Sequence, residues 1–536
     1  MVRFSTQNVE SKISSLQLSI LHDNGLCVDP SGHVRWRNNN SKHPRNWKVA
    51  IKFYNTIIIL CLEFITSAVS TGGTSAAVQY RINYHCTLAS SIFTFTSMYL
   101  IGQGIGGIFF PPFSECFGRK SLYVTSTLGY CALSVVVAAV PSVAAVFIAR
   151  FTMGFLSAVP SAVIAGSIDD MFNMRCRVWV LFTWVVSGSV GLGIGPILST
   201  YVTQYLGWRW VFYIAAIITG ILFLLCLPLS ESRPTLLLER EVAKIRRTKP
   251  SCIFKTSNPD HVLDWNTLIR CTLVRPLRLL FSEPIIILVA IMGAASCSVW
   301  YMFADALLIT FQGYGWSQAQ ASLSFIPVSV GCLCGFLPRI YDYYKLGLRQ
   351  RQHQTATPES VLFGFAIAAP ALAIGLWWFA WTVPPVSDIH FMVPMAALVL
   401  VGFALNEFTY TLTSYLAECY TMYAASGFAG LLLARSLICA ALLPFTHDMY
   451  ASLGPNHATT ILAGIATTFC IAPWLFFKYG KSIRERSTFA KYSFETYRQH
   501  RLGLDVVEVG EESPTAIAGD FVCTSPHPGF DVEKYF

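Results

Sequence analysis

Five ionisable side chains stand inside long apolar runs of this sequence: Glu63, Arg150, Asp305, Glu407 and Arg435. A charge in hydrocarbon is expensive, so a retained one points to function by default. A buried carboxylate titrates closer to neutrality than one in water and can bind and release protons. A buried guanidinium stays charged and can bias such a carboxylate. Together they are the physical minimum for proton-coupled exchange. Glu63 or Glu407 could carry the proton; the competing reading of each is a structural ion pair or an inter-helix hydrogen bond. Asn406, Thr409, Thr411 and Thr413 surround Glu407, and Trp300, Tyr301 and Phe303 precede Asp305. Aromatic walls carrying a few polar groups suit a flat, partly apolar solute, although ordinary packing also uses aromatic residues.

Two further groups lie at or near the ends of apolar runs. Gly118-Arg119-Lys120 is a turn with two bases; Glu115 can pair with Arg119, and Asp169 and Asp170 close a later run on the same side. Charges at such ends can form a latch that holds one conformation and breaks in another, or can be a solvated anchor. The run containing Gly188, Gly191, Gly193, Gly195 and Pro196 presents a surface of small residues that a second helix can approach closely, with a proline to bend it. It reads as a packing seam or as a flexible seal against ion leak.

Positioning these groups takes twelve apolar runs, each about 20 residues long, enough to cross a hydrocarbon core of roughly 30 Å. They fall at 49–71, 87–110, 121–140, 142–168, 178–202 and 210–229, then at 284–311, 318–338, 360–382, 391–416, 421–445 and 458–478. The chain therefore divides into an N-terminal tail (1–48), six spans (49–229), a polar, basic central loop (230–283) with room for a short surface helix, six more spans (284–478) and a C-terminal tail (479–536). Two six-span halves are the plan of the major facilitator transporters. Only 12% of residues are charged, about half the share of a water-soluble chain. The expected class is an all-α, multi-pass membrane protein.

The net charge of +9 does not indicate nucleic acid. Arg81 and Arg209 fall on one side of the spans; Lys52, Arg150 and Arg435 lie within them; every other Lys and Arg shares the opposite side. This positive-inside bias places both termini in the cytoplasm. The sixteen cysteines lack metal-pair spacing and read as small packing residues. No metal, cofactor or enzymatic grouping is expected.

At these residues the chain resembles the fungal twelve-span drug:proton antiporters of the major facilitator type, from about His43 to Ser487. Pro44-Arg-Asn-Trp47 is similar to the motif before span 1. Ser114-Glu115-Cys-Phe-Gly118-Arg119-Lys120 is similar to the signature after span 2. Arg150-Phe-Thr-Met-Gly154 is similar to the span 4 motif, whose Arg is linked to proton coupling. Gly191-x-x-x-Gly195-Pro196 is similar to the antiporter motif of span 5. The chain departs from the pattern at Pro111, at Ser199 and Thr200, at Leu308, and in having Glu407 at all.

The resemblance implies two bundles rocking around a central cavity and proton-driven export of a drug-like compound or fungal secondary metabolite. Arg150 and Glu63 would couple protons. On the residues themselves, Asp305, Glu407, Asn406, Trp300 and Tyr301 are expected to line the cavity, with Glu407 reflecting this chain's own solute rather than the family pattern. Glu115, Gly118, Arg119, Lys120 and Asp170 would form the latch. The expected partners are a small organic solute, protons and the bilayer, with the protein a monomer in the plasma membrane or, secondarily, the vacuolar membrane. Import by proton symport, of a polyamine or nutrient, and a non-transporting sensor are the rival readings.

Overall fold

A computed structural model of the chain describes residues 15–28, 33–37, 40–248, 255–256, 273–351, 358–386, 389–420 and 424–487. Helix dominates because long apolar stretches must satisfy their own backbone groups once water is excluded. The first six spans are Val49–Tyr84, Leu88–Phe117, Arg119–Ala139, Val143–Met171, Met174–Tyr205 and Trp208–Cys226. Four more follow at Pro284–Gln312, Gln318–Leu348, Phe363–Thr382 and Met392–Tyr420. The last apolar stretch, Ala425–Glu485, is 61 residues long, far more than one crossing needs. Its continuity is broken at Leu443–Phe445 and again at Gly454, whose φ of 77° is not helical. Ala424–Leu442 and the helix that resumes at Pro455 are therefore spans 11 and 12.

Span 1 is 36 residues long, well beyond the 49–71 expected from hydropathy. Hydropathy marks where lipid ends, whereas a helix ends only at a backbone signal. That signal is His85, left-handed at φ 52°, where the Cys86 N–H returns to the Arg81 carbonyl at 3.3 Å.

Within the first six spans, span 1 packs on 5 and 6, span 2 on 4, and span 3 on 4 and 6; within the last six, span 7 packs on 11 and 12, span 10 on 8 and 9, and span 9 on 12. Close approach rests on the same device in both sets. A methyl group built on Gly102 would stand 2.8 Å from the Phe155 nitrogen, and one on Gly154 would stand 2.8 Å from the Tyr99 Cα. Between spans 8 and 10, a methyl on Gly331 would stand 2.8 Å from the Phe403 nitrogen and one on Gly402 would stand 2.9 Å from the Val328 Cα. Gly154→Ala is expected to cost about 1–3 kcal/mol by overpacking. Gly464→Ala, where nothing lies within 4 Å, should be tolerated. Thermal unfolding of the two variants in detergent checks this difference.

The two sets of spans meet where span 2 packs on 11, span 5 on 8 and 10, and span 1 on 7. Contacts across this boundary occur toward both ends. On the side bearing the Lys and Arg residues, Trp179 sits against Tyr343 and the Arg175 guanidinium donates to the Gly347 carbonyl at 3.4 Å. Deeper and toward the opposite side, Ser70 and Tyr301 share a hydrogen bond of 2.9 Å and Ser97 donates to the Ala440 carbonyl at 2.8 Å.

The structure departs from a purely helical chain before span 1. Helix Ser15–Asp23 leads into β1 (Leu26–Val28) and β2 (His33–Trp36), paired antiparallel, and β2 pairs in parallel with β3 (Lys255–Thr256) of the central loop. Ile20, Leu21, Leu26 and Val34 pack on Leu238, Val242 and Ile245 of the central-loop helix Pro234–Thr248. The Trp36 indole N–H donates to the Pro234 carbonyl at 3.0 Å, and Lys42 pairs with Glu241 at 2.7 Å. Burial opposes charge on Glu241, but hydrogen bonds from Lys244 and Lys42 outweigh it and hold that carboxyl below its usual range.

Candidate functional site

The latch expected at the basic side is larger than its sequence motif. Gly118 takes φ 91°, a conformation that favours glycine, and turns the chain so that Arg119 points inward. The buried Arg119 guanidinium pairs with Asp170 at 3.1 Å and also donates to the Ser114 hydroxyl. Glu115 lies within electrostatic reach of the same guanidinium. Glu231, just past span 6, accepts from the backbone N–H of Arg119 at 2.9 Å and of Lys120 at 3.2 Å, capping the exposed donors at the start of span 3. Arg233 approaches Asp170 at 3.9 Å. Asn55 of span 1 holds the same segment by exchanging hydrogen bonds with Ser230 at 3.2 and 3.3 Å. Glu231 and Arg233 have no local pattern that marks them; Glu231 lies more than a hundred residues from the turn it binds, and Arg233 lies in another loop from the Asp170 it approaches.

Arg150 is fully buried. Its Nε donates to the Phe95 carbonyl at 2.6 Å, and its guanidinium lies over the Tyr99 ring at 4.7 Å and the Phe212 ring at 5.4 Å. Phe95 belongs to a π-helical turn, Phe93–Ser97. Such a turn disturbs the regular ladder and releases carbonyls. Gly73 of span 1 makes room: a methyl there would stand 2.7 Å from a terminal guanidinium nitrogen. Neither terminal nitrogen has a hydrogen-bond partner among the described residues. The charge is held by aromatic faces and one carbonyl, with donors to spare.

Glu63 is also buried, with one carboxylate oxygen unpartnered among the described residues. It faces span 5 at Gly188, where a methyl would stand 3.1 Å from the other oxygen, and lies within electrostatic reach of Arg435 in span 11. No ion pair joins Glu63 to Arg150 among the described residues. Tyr99 stands within electrostatic reach of both and donates to the Thr66 carbonyl at 3.0 Å. The two groups expected to couple protons are thus neighbours of one tyrosine, not of each other.

The span 5 motif forms the seam with span 1. Methyl groups on Gly191 or Gly195 would run into the Phe64 and Ala68 backbone. Pro196 lacks the N–H that the Leu192 carbonyl would otherwise receive, and Thr71 of span 1 donates to that carbonyl instead at 3.0 Å. Where the motif usually has glycine, Thr200 bonds Ser75 at 2.8 Å. Beyond this point, Ser75, Val78, Gln79, Thr200, Thr203 and Gln204 face Gln318 of span 8 around a polar cavity of about 350 Å³.

The remaining expected residues fall in three places. Trp300 and Tyr301 are buried, and Tyr301 bonds span 1 through Ser70. Asp305, one turn farther along, pairs with His447 at 3.1 Å. Glu407 and Arg339 are both fully buried and joined at 2.6 Å; Arg339 also reaches Asp342 at 2.6 Å and lies 3.9 Å over the Tyr410 ring. Asn406 is buried beside them with both amide atoms unpartnered among the described residues. The aromatic contacts Phe182–Tyr410 and Trp184–Phe428 cross the boundary here, and the Trp184 indole N–H is also unpartnered. Arg339 and Arg119 both anchor basic-side clusters, yet Arg339 lies eight residues past Gly331 and Arg119 seventeen past Gly102, so they are not equivalent positions.

The family described as Major Facilitator Superfamily matches residues 59–444. The chain is 29% identical to "Multidrug transporter TPO1_2" of Candida glabrata, covering 84% of this chain and 78% of that protein. It is 30% identical to the "MFS-type efflux pump MFS2" of Trichophyton rubrum, over 85% and 77%. It is also 30% identical to the "Major facilitator superfamily multidrug transporter mdrA" of Aspergillus fumigatus, over 88% and 77%. The structure resembles that of the human organic anion transporter MFSD10 (TETRAN), with a TM-score of 0.57 and 15% identity over 80% of this chain and all of that one, which bears on the fold alone.

Proposed function

The chain belongs to the Major Facilitator Superfamily, and from that premise we propose that it exports a small, drug-like organic compound from the cytoplasm in exchange for protons. The names of its relatives support efflux: a multidrug transporter and an efflux pump cover most of the chain. The observation that carries the reading is Arg150, a fully buried cation whose two terminal nitrogens have no partner among the described residues, set one tyrosine away from Glu63, one of whose carboxylate oxygens is likewise unpartnered among them. A fixed positive charge of this kind favours the ionised form of a nearby carboxylate and raises the cost of neutralising it. Protonation of Glu63 would remove its attraction to Arg435 in the other half and free the halves to rock.

The solute would sit among Trp184, Phe182, Tyr410, Phe428 and Asn406, where an indole N–H and an amide have no partner among the described residues. The Arg119–Asp170–Glu231 cluster would brace the cytoplasmic ends of spans 3, 4 and 6, while Trp179–Tyr343 and Arg175–Gly347 would close the cytoplasmic face between the halves. No step here makes or breaks a covalent bond in the solute, so the protein is a transporter and not an enzyme. It works as a monomer with its basic side in the cytoplasm, in the plasma membrane. The test is efflux of a fluorescent hydrophobic dye from cells carrying wild-type protein or the variant Glu63→Gln at matched surface amount. Faster wild-type loss of dye, abolished by a protonophore and by the variant, supports the reading. Equal dye retention with and without the protein overturns it.

A further inference from the structure

Proton-driven exchange needs an entry point for protons on the face away from the basic side, and none of the groups used so far supplies one. Glu63, Arg150 and Glu407 are buried. The exception is the pair formed by Asp305 of span 7 and His447 at the start of the helix after span 11. It is an ion pair whose cation is a histidine. Its two members differ in access: the His447 side chain is 36% exposed, and the Asp305 side chain only 10%. Water can reach the imidazole; the carboxylate lies behind it.

The surroundings tie this pair to the closure between halves. Asp305 lies one helical turn from Tyr301, whose hydroxyl bonds Ser70 of span 1 at 2.9 Å. Arg81, at the far end of span 1, is within electrostatic reach of His447, as is Asp448 on its own helix. Tyr450 stands beside Asp305 and bonds Thr459 at 3.2 Å. Span 9, which also packs on this helix, carries no titratable side chain. With His447 neutral, the pair presents one negative charge toward the Arg81 end of span 1. With one proton added, the pair is neutral and that attraction is gone.

We propose that His447 and Asp305 form the outer proton-receiving site, and that loading it releases the closure between span 1 and the last six spans. The inference rests on the antiport reading above. An outside proton binds the His447 ring, and the imidazolium stays hydrogen-bonded through Nδ1 to Asp305 Oδ2. One proton is added, and the pair as a whole ends neutral. Histidine suits the step because it exchanges protons between pH 5 and 8.

The experiment reconstitutes the full chain in liposomes and follows export of a fluorescent hydrophobic dye against outer pH, with the inner pH fixed. Wild type, His447→Gln, Asp305→Asn and His457→Gln are compared. His457 is an exposed histidine on the same stretch, whose Nδ1 lies 3.2 Å from the Leu453 carbonyl. Acid outside should accelerate wild type and His457→Gln alike, while His447→Gln and Asp305→Asn lose that acceleration and still bind dye. If His447→Gln keeps the wild-type pH profile, or His457→Gln loses it equally, the inference is overturned. If wild type itself shows no response to the gradient, antiport fails and the inference falls with it. Dye binding by each variant, measured without a gradient, separates a proton defect from a folding defect.

Discussion

Replacing Arg339 by alanine is expected to cost about 3–5 kcal/mol of stability, the penalty for leaving one member of a buried pair without its counter-charge. Glu407 is fully buried and its contact with Arg339 is 2.6 Å, so it would be stranded in a medium that cannot solvate it. The variant should show a large drop in folded yield and in the midpoint of thermal unfolding in detergent. Arg339→Leu combined with Glu407→Leu should recover most of the loss, because apolar replacements of a buried pair are often neutral or stabilising. Asp342, which keeps some access to water, can then hydrate. If the double variant folds well but no longer moves dye, the pair has a transport role beyond support. If the single variant is as stable as wild type, the pair does not hold spans 8 and 10 together as described.

The second large effect is expected at Arg150, in transport rate as well as in stability. In Arg150→Lys the charge remains, but a single ammonium cannot lie flat over Tyr99 and Phe212 while donating sideways to the Phe95 carbonyl. A hydrogen bond to a charged group contributes about 1.5–3 kcal/mol, or roughly ten- to a hundredfold in a rate that depends on it. Initial dye-efflux rates, normalised to surface protein, should fall by that factor. A rate within about twofold of wild type would mean that the guanidinium geometry does not matter to the cycle. Gly73 bears on the same site, since it is the absence of its side chain that leaves space for the guanidinium.

The positions of the intramembrane charges were legible because hydropathy makes each one conspicuous. Their partners were not. Arg339 read as the first residue of a loop, since apolar residues end there, but helix Phe336–Arg351 continues without a break. That continuation carries Arg339 inward to Glu407, 68 positions later in the chain. Glu407, without a visible partner in the sequence, read as part of the cavity wall; the structure places it in an ion pair, beside an Asn406 that has no partner among the described residues. Glu231 shows the same limit from the other direction. An acid in a polar loop carries no signal until folding sets it against the N–H groups of Arg119 and Lys120. The hairpin before span 1 was illegible for a different reason: its few apolar residues, Leu26 and Val34 among them, need a helix some two hundred residues away to complete their burial. By contrast, the small residues of the Gly191-Gly195-Pro196 stretch are conspicuous in the sequence, although the helix they face, span 1, is not. Close packing needs small residues at fixed spacing, and that requirement is written in one stretch of chain.

Proton-driven export is the centre of this account, and flux in a defined gradient tests it most directly. Liposomes carrying the full chain, with dye inside and the basic side of the protein facing the lumen, would be shifted to acid outside. The expected result is accelerated loss of dye together with acidification of the lumen, both removed by Arg150→Lys. Loss of dye unchanged by the gradient, or dye drawn inward along with protons, would contradict it.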